Sequence, residues 1–254
     1  MSTHTLFEIL IGIHIASGAP GLISFWVPVF SKKGGERHRF WGKVFTIAML
    51  ITGATAMAMS TLTLIAPMAT HPHLVAHPEF SDPVLVRGIF GWMMLYLAIV
   101  TINLAWYGWR CIVNKNDHRK NRDWRNMVLQ AVLMISAANC AIQGVIIGQP
   151  MMIGISFVGF ATVATNLWFI LKEKPGPAAW LLEHIKGIVG TGISVYTAFF
   201  AFGAVRIMPE LALTPALWSV PLITGLAMII YHQRAVARRL RQPRSLSVSP
   251  GAAE

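Results

Sequence analysis

Long apolar stretches alternate with short basic ones along the chain. A membrane-spanning helix needs about 20 mostly apolar residues. Seven stretches have that character: Leu6–Phe30, Phe40–Ala66, Val84–Trp109, Met127–Ile147, Met151–Leu171, Trp180–Phe202 and Pro215–Tyr231. The last is the shortest. Only Gly148-Gln149-Pro150 separates the fourth from the fifth, which predicts a tight turn there. The pattern predicts an all-α fold, a polytopic transmembrane helical bundle of about seven spans.

The basic positions orient this bundle. Lys32, Lys33, Arg37, Arg39 and Lys43 follow the first stretch, and Arg110, Lys115, Arg119, Lys120, Arg122 and Arg125 follow the third. Lys172, Lys174 and Lys186 surround the start of the sixth, and Arg234, Arg238, Arg239, Arg241 and Arg244 follow the seventh. Of 21 Lys and Arg, only Arg87 and Arg206 fall on the other side. Lys and Arg collect on cytoplasmic loops. The alternation therefore predicts an N-terminus outside and a C-terminus in the cytoplasm, in a multi-pass protein of the bacterial inner (plasma) membrane. One miscounted helix would scramble the alternation, so span count and orientation support each other.

The formal charge of +11 then belongs to one face. Its expected partner is the anionic lipid of the cytoplasmic leaflet. The basic loops are too short to house a nucleic-acid-binding fold, so no nucleic acid is expected. A homo-oligomer or a membrane-complex partner stays open. Residues 1–241 are expected to form a single transmembrane domain. Residues 242–254, rich in Pro, Ser and Gly, read as a disordered cytoplasmic tail.

Composition agrees with this picture. The chain is 55% hydrophobic and 12% charged, against about 25% charged in a soluble domain. Cys111 and Cys140 lie within or at the edge of apolar stretches, so no extracytoplasmic disulfide is expected. The opening MSTHTLFEIL has no positive n-region, and its apolar run continues past Trp26, too long for a cleaved signal peptide.

Ionisable residues inside a membrane are costly, so each is a candidate site. The first stretch holds Glu8 and His14, and the sixth opens with Glu183, His184 and Lys186. Uncharged polar residues in the stretches are Asn103, Asn139, Gln143, Asn166 and Tyr196. Asn139 and Gln143 share one helix face, expected to point into the bundle, where interhelical hydrogen bonding outweighs substrate binding as a reading. His14 begins HIASGAPGLISFW, in which Pro20 frees a carbonyl and Gly18 and Gly21 permit close approach. A haem ligand or proton-handling group weighs evenly there against a hydrogen-bonded histidine. His184 begins HIKGIVGTGISVY, which aligns with the His14 run over too few identities to establish a repeat.

His38 lies in GGERHRFWGKVF, at the mouth of the second stretch. An ordinary positive-inside anchor, with Trp41 at the interface, is the simpler reading. A site shared with His184 is the sharper one. Between the second and third stretches, THPHLVAHPEFSDP offers His71, His73, His77 and Glu79 as metal-ligand types. The spacing matches no established zinc pattern, and outward loops tolerate histidine. This loop is expected to be short, polar, exposed and dispensable for folding. No phosphate-binding glycine loop, HExxH, GxSxG or CxxCH occurs. A retinal protein would need a lysine in its last helix, and Ala216–Tyr231 has none.

His14 with Gly18, the run His38-Arg39-Phe40-Trp41-Gly42-Lys43, and His184 together resemble the pattern of a group of uncharacterised bacterial predicted membrane proteins. The match covers about a third of the chain and implies no activity. The group is loosely similar to membrane b-type cytochromes, which bind haem through helix-borne histidines. That likeness implies haem b as cofactor and His184, His38 and His14 as candidate ligands. Depth selects among them. His184 lies four residues into its stretch, about 6 Å from the inner end, while His14 lies about 18 Å from that end. Two ligands of one iron each lie about 2 Å from it, so His38 is the expected partner of His184. The other open classes are a small-molecule transporter or channel, carried by the Asn139/Gln143 face, Asn166 and the proline-broken first helix, and a structural or assembly subunit.

Overall fold

The computed structural model describes residues 2–76, 80–203 and 214–241, and all regular structure among them is helical. Seven long helices follow one another: α1 (Thr3–Phe30), α2 (Glu36–Ile65), α3 (Pro83–Val113), α4 (Trp124–Ile146), α5 (Pro150–Leu171), α6 (Ala179–Ala198) and α7 (Pro215–Arg241). All but α6 are long and apolar enough to cross a membrane. The chain is thus a helical bundle with six membrane-length apolar helices. The predicted span at Trp180–Phe202 does form a helix, Ala179–Ala198, with Glu183, His184 and Lys186 in its first turns. Residues 77–79, 204–213 and 242–254, including His77, Arg206 and the expected tail, lie outside the described residues.

Local chemistry sets the helix ends. Ser2, Asp82 and Asp123 accept backbone N–H groups of Thr5, Val84 and Asn126, capping α1, α3 and α4. The turn between α4 and α5 closes by a paired C-terminal motif. Gly148 takes φ 66° and donates to Val145 O at 3.3 Å, while Gln149 donates to Gly144 O at 2.8 Å. Pro150, which lacks an N–H, then starts α5 where none is needed. Arg122 caps the other end of α5, donating to the carbonyls of Ile170 and Leu171. The helices outrun their apolar stretches at the basic end. α2 begins at Glu36 rather than Phe40, so His38 sits inside its first turn and not outside the helix. α1 continues through both Pro20 and Pro28.

α3 occupies the centre. Its apolar window is 56% buried against 11% for α7, the outermost. It packs on α2, α4 and α6, while α1 leans on α2, α5 on α4 and α7 on α6. Phe25, Phe45, Met49, Ala105 and Val195 knit α1, α2, α3 and α6 together. Tyr96, Leu133, Ala137, Met152 and Val163 join α3, α4 and α5. On α4 the buried face is Asn126, Gln130, Leu133, Ala137, Cys140 and Gly144. Asn139 and Gln143 are only half-buried on its flank, which corrects the expectation that they mark the inward face.

Candidate functional site

Three of the candidate histidines share one arrangement. His184 Nδ1 lies 3.0 Å from Gly108 O, His38 Nδ1 lies 3.1 Å from Pro28 O, and His14 Nδ1 lies 3.1 Å from Thr52 O. A carbonyl only accepts, so each Nδ1 carries the proton and each Nε2 keeps its lone pair. This is the tautomer in which a histidine ligates through Nε2 while its other nitrogen is held by a carbonyl.

The positions of these carbonyls explain the arrangement. α1 ends at Phe30, so its last carbonyls have no helical partner. Pro28 O accepts from both His38 Nδ1 and Lys33 Nζ, and Lys33 also donates to Val29 O. His38 and Lys33 therefore finish the first helix from outside it. Burial pushes the Lys33 ammonium below its ordinary pKa. His184 is set by a close helix crossing. A Cβ on Gly187 would stand 2.7 Å from Gly108 Cα, so α3 and α6 touch backbone to backbone. Gly187 is three residues after His184 and on the same face.

His38 and His184 lie within electrostatic range of each other, and Lys33 lies within range of His38. His14 is elsewhere. Its partner Thr52 is fourteen residues beyond His38 on α2, about 21 Å along the axis. His14 instead joins Ser17, Thr52 and Thr55 in a hydrogen-bonded seam between α1 and α2. The structure thus leaves His14 apart, while His38 and His184 are each bonded to a carbonyl of another helix.

Glu183 and Lys186, beside His184 in sequence, form an ion pair, and Tyr107 donates to the same Glu183 oxygen at 2.6 Å. Lys186 also donates to Thr165 Oγ1 at 3.2 Å. The charges of α6 are compensated against α3 and α5 rather than left open to lipid. Among the uncharged polar residues, Trp26 Nε1 donates to Tyr196 Oη and Tyr196 Oη to Leu22 O, tying α6 to α1.

The histidine loop departs from expectation. His71 is buried between Phe7 and Phe90, at ring separations of 5.1 and 4.7 Å, and holds Thr70 Oγ1 at 2.9 Å from its Nδ1. Burial foremost, and the nearby His73, lower its pKa to about 4 against a bond to the Pro67 backbone. His73 is exposed, with its ring 5.9 Å from His71. Among the described residues no group of three or more His, Cys, Asp or Glu could hold a metal ion. His71 is therefore a core residue of the loop, and the expectation of a wholly exposed loop is corrected.

No family model, curated protein or solved structure matches the chain.

Sequence reasoning missed Lys33, Gly108 and Gln130. Gly108 stands in the run Trp106-Tyr107-Gly108-Trp109, and nothing in that run says which helix will cross there. Gln130 was legible in principle, since it stands four residues after Asn126 on one face.

Proposed function

We propose that this chain is a multi-pass protein of the bacterial inner membrane that holds one haem b between His38 and His184 and serves in electron transfer. The observation that supports this reading is the matched chemistry of the two imidazoles. Each gives its Nδ1 proton to a backbone carbonyl, each keeps an Nε2 lone pair, and they sit on neighbouring helices within electrostatic range.

The donor set fits this group better than a bare metal ion. A zinc site asks the protein for three or four ligands, and no such group occurs among the described residues. A porphyrin supplies four nitrogens itself and asks the protein only for axial ligands. Bound haem would supply reversible one-electron chemistry. The chain's part is to keep both imidazoles neutral and oriented. The Gly108–Gly187 crossing holds one ring, and the end of α1 holds the other. Lys33 adds a positive charge on the His38 side, which would favour the reduced form and anionic propionates.

The topology in this reading has seven spans, N-terminus outside and C-terminus in the cytoplasm, with α6 crossing as well as the six apolar helices. Its charged turns then lie at the cytoplasmic end with the basic loops, against anionic lipid. The family likeness carried by His14, His38 to Lys43 and His184 is consistent with it.

The test is the absorption spectrum of the full-length protein purified from haem-replete cells, oxidised and dithionite-reduced. The expected result is a Soret band with sharp reduced α and β bands, lost or converted to a high-spin form in His38→Ala and in His184→Ala and unchanged in His14→Ala. A wild type without a Soret band ends the haem reading and leaves the histidines as interhelical ties. A spectrum untouched by His184→Ala overturns the ligand assignment.

A further inference from the structure

Four amide side chains lie where α3, α4 and α5 meet: Asn103, Asn126, Gln130 and Asn166, none more than 1% exposed. One backbone atom fixes the orientation of three of them. Asn103 Nδ2 donates to Leu129 O at 3.1 Å. A carbonyl only accepts, so Asn103 must turn its Oδ1 the other way. That oxygen accepts from Asn166 Nδ2 at 3.2 Å, and the same Nδ2 donates to Gln130 Oε1 at 3.2 Å. Flipping any of the three amides sets donor against donor or acceptor against acceptor.

Two atoms are left over by this relay. Asn166 Oδ1 is an acceptor and Gln130 Nε2 a donor, and neither has a partner among the described residues. Asn126 stands one helical turn before Gln130 on the same face. Its Nδ2 donates to Asn121 O at 2.7 Å, while its Oδ1 is a third buried atom without a partner. Buried polar atoms in native proteins are paired with protein or with ordered water. A cation does not suit this set, because Gln130 would turn N–H protons toward it. Water does suit it, since a buried water takes two to four polar partners and can accept from one while donating to another.

We propose that this amide cluster is a water site. One molecule accepts from Gln130 Nε2 and donates to Asn166 Oδ1, and a second donates to Asn126 Oδ1 on the way in from the Asn114–Asn121 turn. The site is independent of the haem reading, since it uses none of the residues on which that reading rests.

The test is water-edited solid-state NMR on isotope-labelled full-length protein in lipid bilayers. The Gln130 side-chain amide, assigned by its loss in Gln130→Met, is expected to draw magnetisation from water several-fold faster than the backbone amides of Leu133 and Val163, which are as deeply buried. Asn166→Leu removes one anchor and is expected to slow that transfer to the Leu133 rate. If Asn166→Leu does not fold, the wild-type comparison alone decides. A Gln130 amide polarised no faster than Leu133 means a dry cluster and overturns the proposal.

Discussion

Gly187 and Gly108 meet so closely that a Cβ on Gly187 would stand 2.7 Å from the Gly108 Cα, and His184 reaches the Gly108 carbonyl at this same crossing. The close backbone contact and the placing of the imidazole are one event.

Gly187→Ala is therefore expected to push α3 and α6 apart. Overpacking of this kind costs about 1–3 kcal/mol. Thermal unfolding in lipid nanodiscs should show a lowered midpoint for Gly187→Ala and none for Gly154→Ala, where a Cβ meets nothing within 4 Å. Equal midpoints for Gly187→Ala and wild type would mean that the crossing yields without cost.

His71 predicts an acid-sensitive loop. Its pKa is lowered from 6.5 to about 4. The unfolded form therefore binds more protons between those values, and stability is full above pH 6.5 and falls as the pH drops toward 4. At about pH 5 the loss amounts to about 2 kcal/mol relative to neutral pH. Amide exchange at Leu74 and Val75, corrected for its intrinsic pH dependence, should quicken on acidification. The effect should vanish in His71→Phe, which keeps the ring contacts with Phe7 and Phe90.

Asp123 has two duties that substitution can separate. One carboxylate oxygen caps α4 through the Asn126 N–H, and the other pairs with Arg110. Asp123→Asn keeps the cap and loses the pair, while Asp123→Ala loses both. Loss of such a cap costs about 0.5–2 kcal/mol, so Ala should be the less stable by that margin in denaturant unfolding. Equal stability of the two variants would assign the whole role to the ion pair.

Topology is open to a direct measurement. Reporter fusions after Pro67 and after Lys115 are expected on opposite sides of the membrane, the first outside and the second in the cytoplasm. Both on one side would break the orientation read from the basic loops.

The long apolar stretches were legible because a span must be apolar along its whole length, a demand no other element makes. The Gly148-Gln149-Pro150 turn was legible for a similar reason, since each residue there has one local use. The helix ends were less so. His38 was placed outside α2 because hydropathy drops at Arg37 and Arg39, yet charged side chains continue a helix while their heads reach the interface. His71 looked exposed because the pattern around it is polar, and only the packing of Phe7 and Phe90 from two other helices buries it. Depth puts His38 and His184 at one level in the sequence, but which helices are neighbours is encoded by no local pattern.

The seven residues Arg87–Met93 of α3 are wound as a π-helix between ordinary α-helical turns. Such a stretch holds more residues per turn than its surroundings. Everything before it is therefore rotated about the α3 axis relative to a continuous α-helix of the same sequence. If the same seven residues closed to a regular α-helix, the Pro83–Val86 end would turn by about 100°, one residue's worth, relative to the rest. Gly88 and Gly91, which now seat Ile147 and Leu64, would lose their places against α4 and α2. The segment acts as a phase shifter, and the Pro83–Val86 end of the bundle is built to its offset rather than to the sequence's own periodicity.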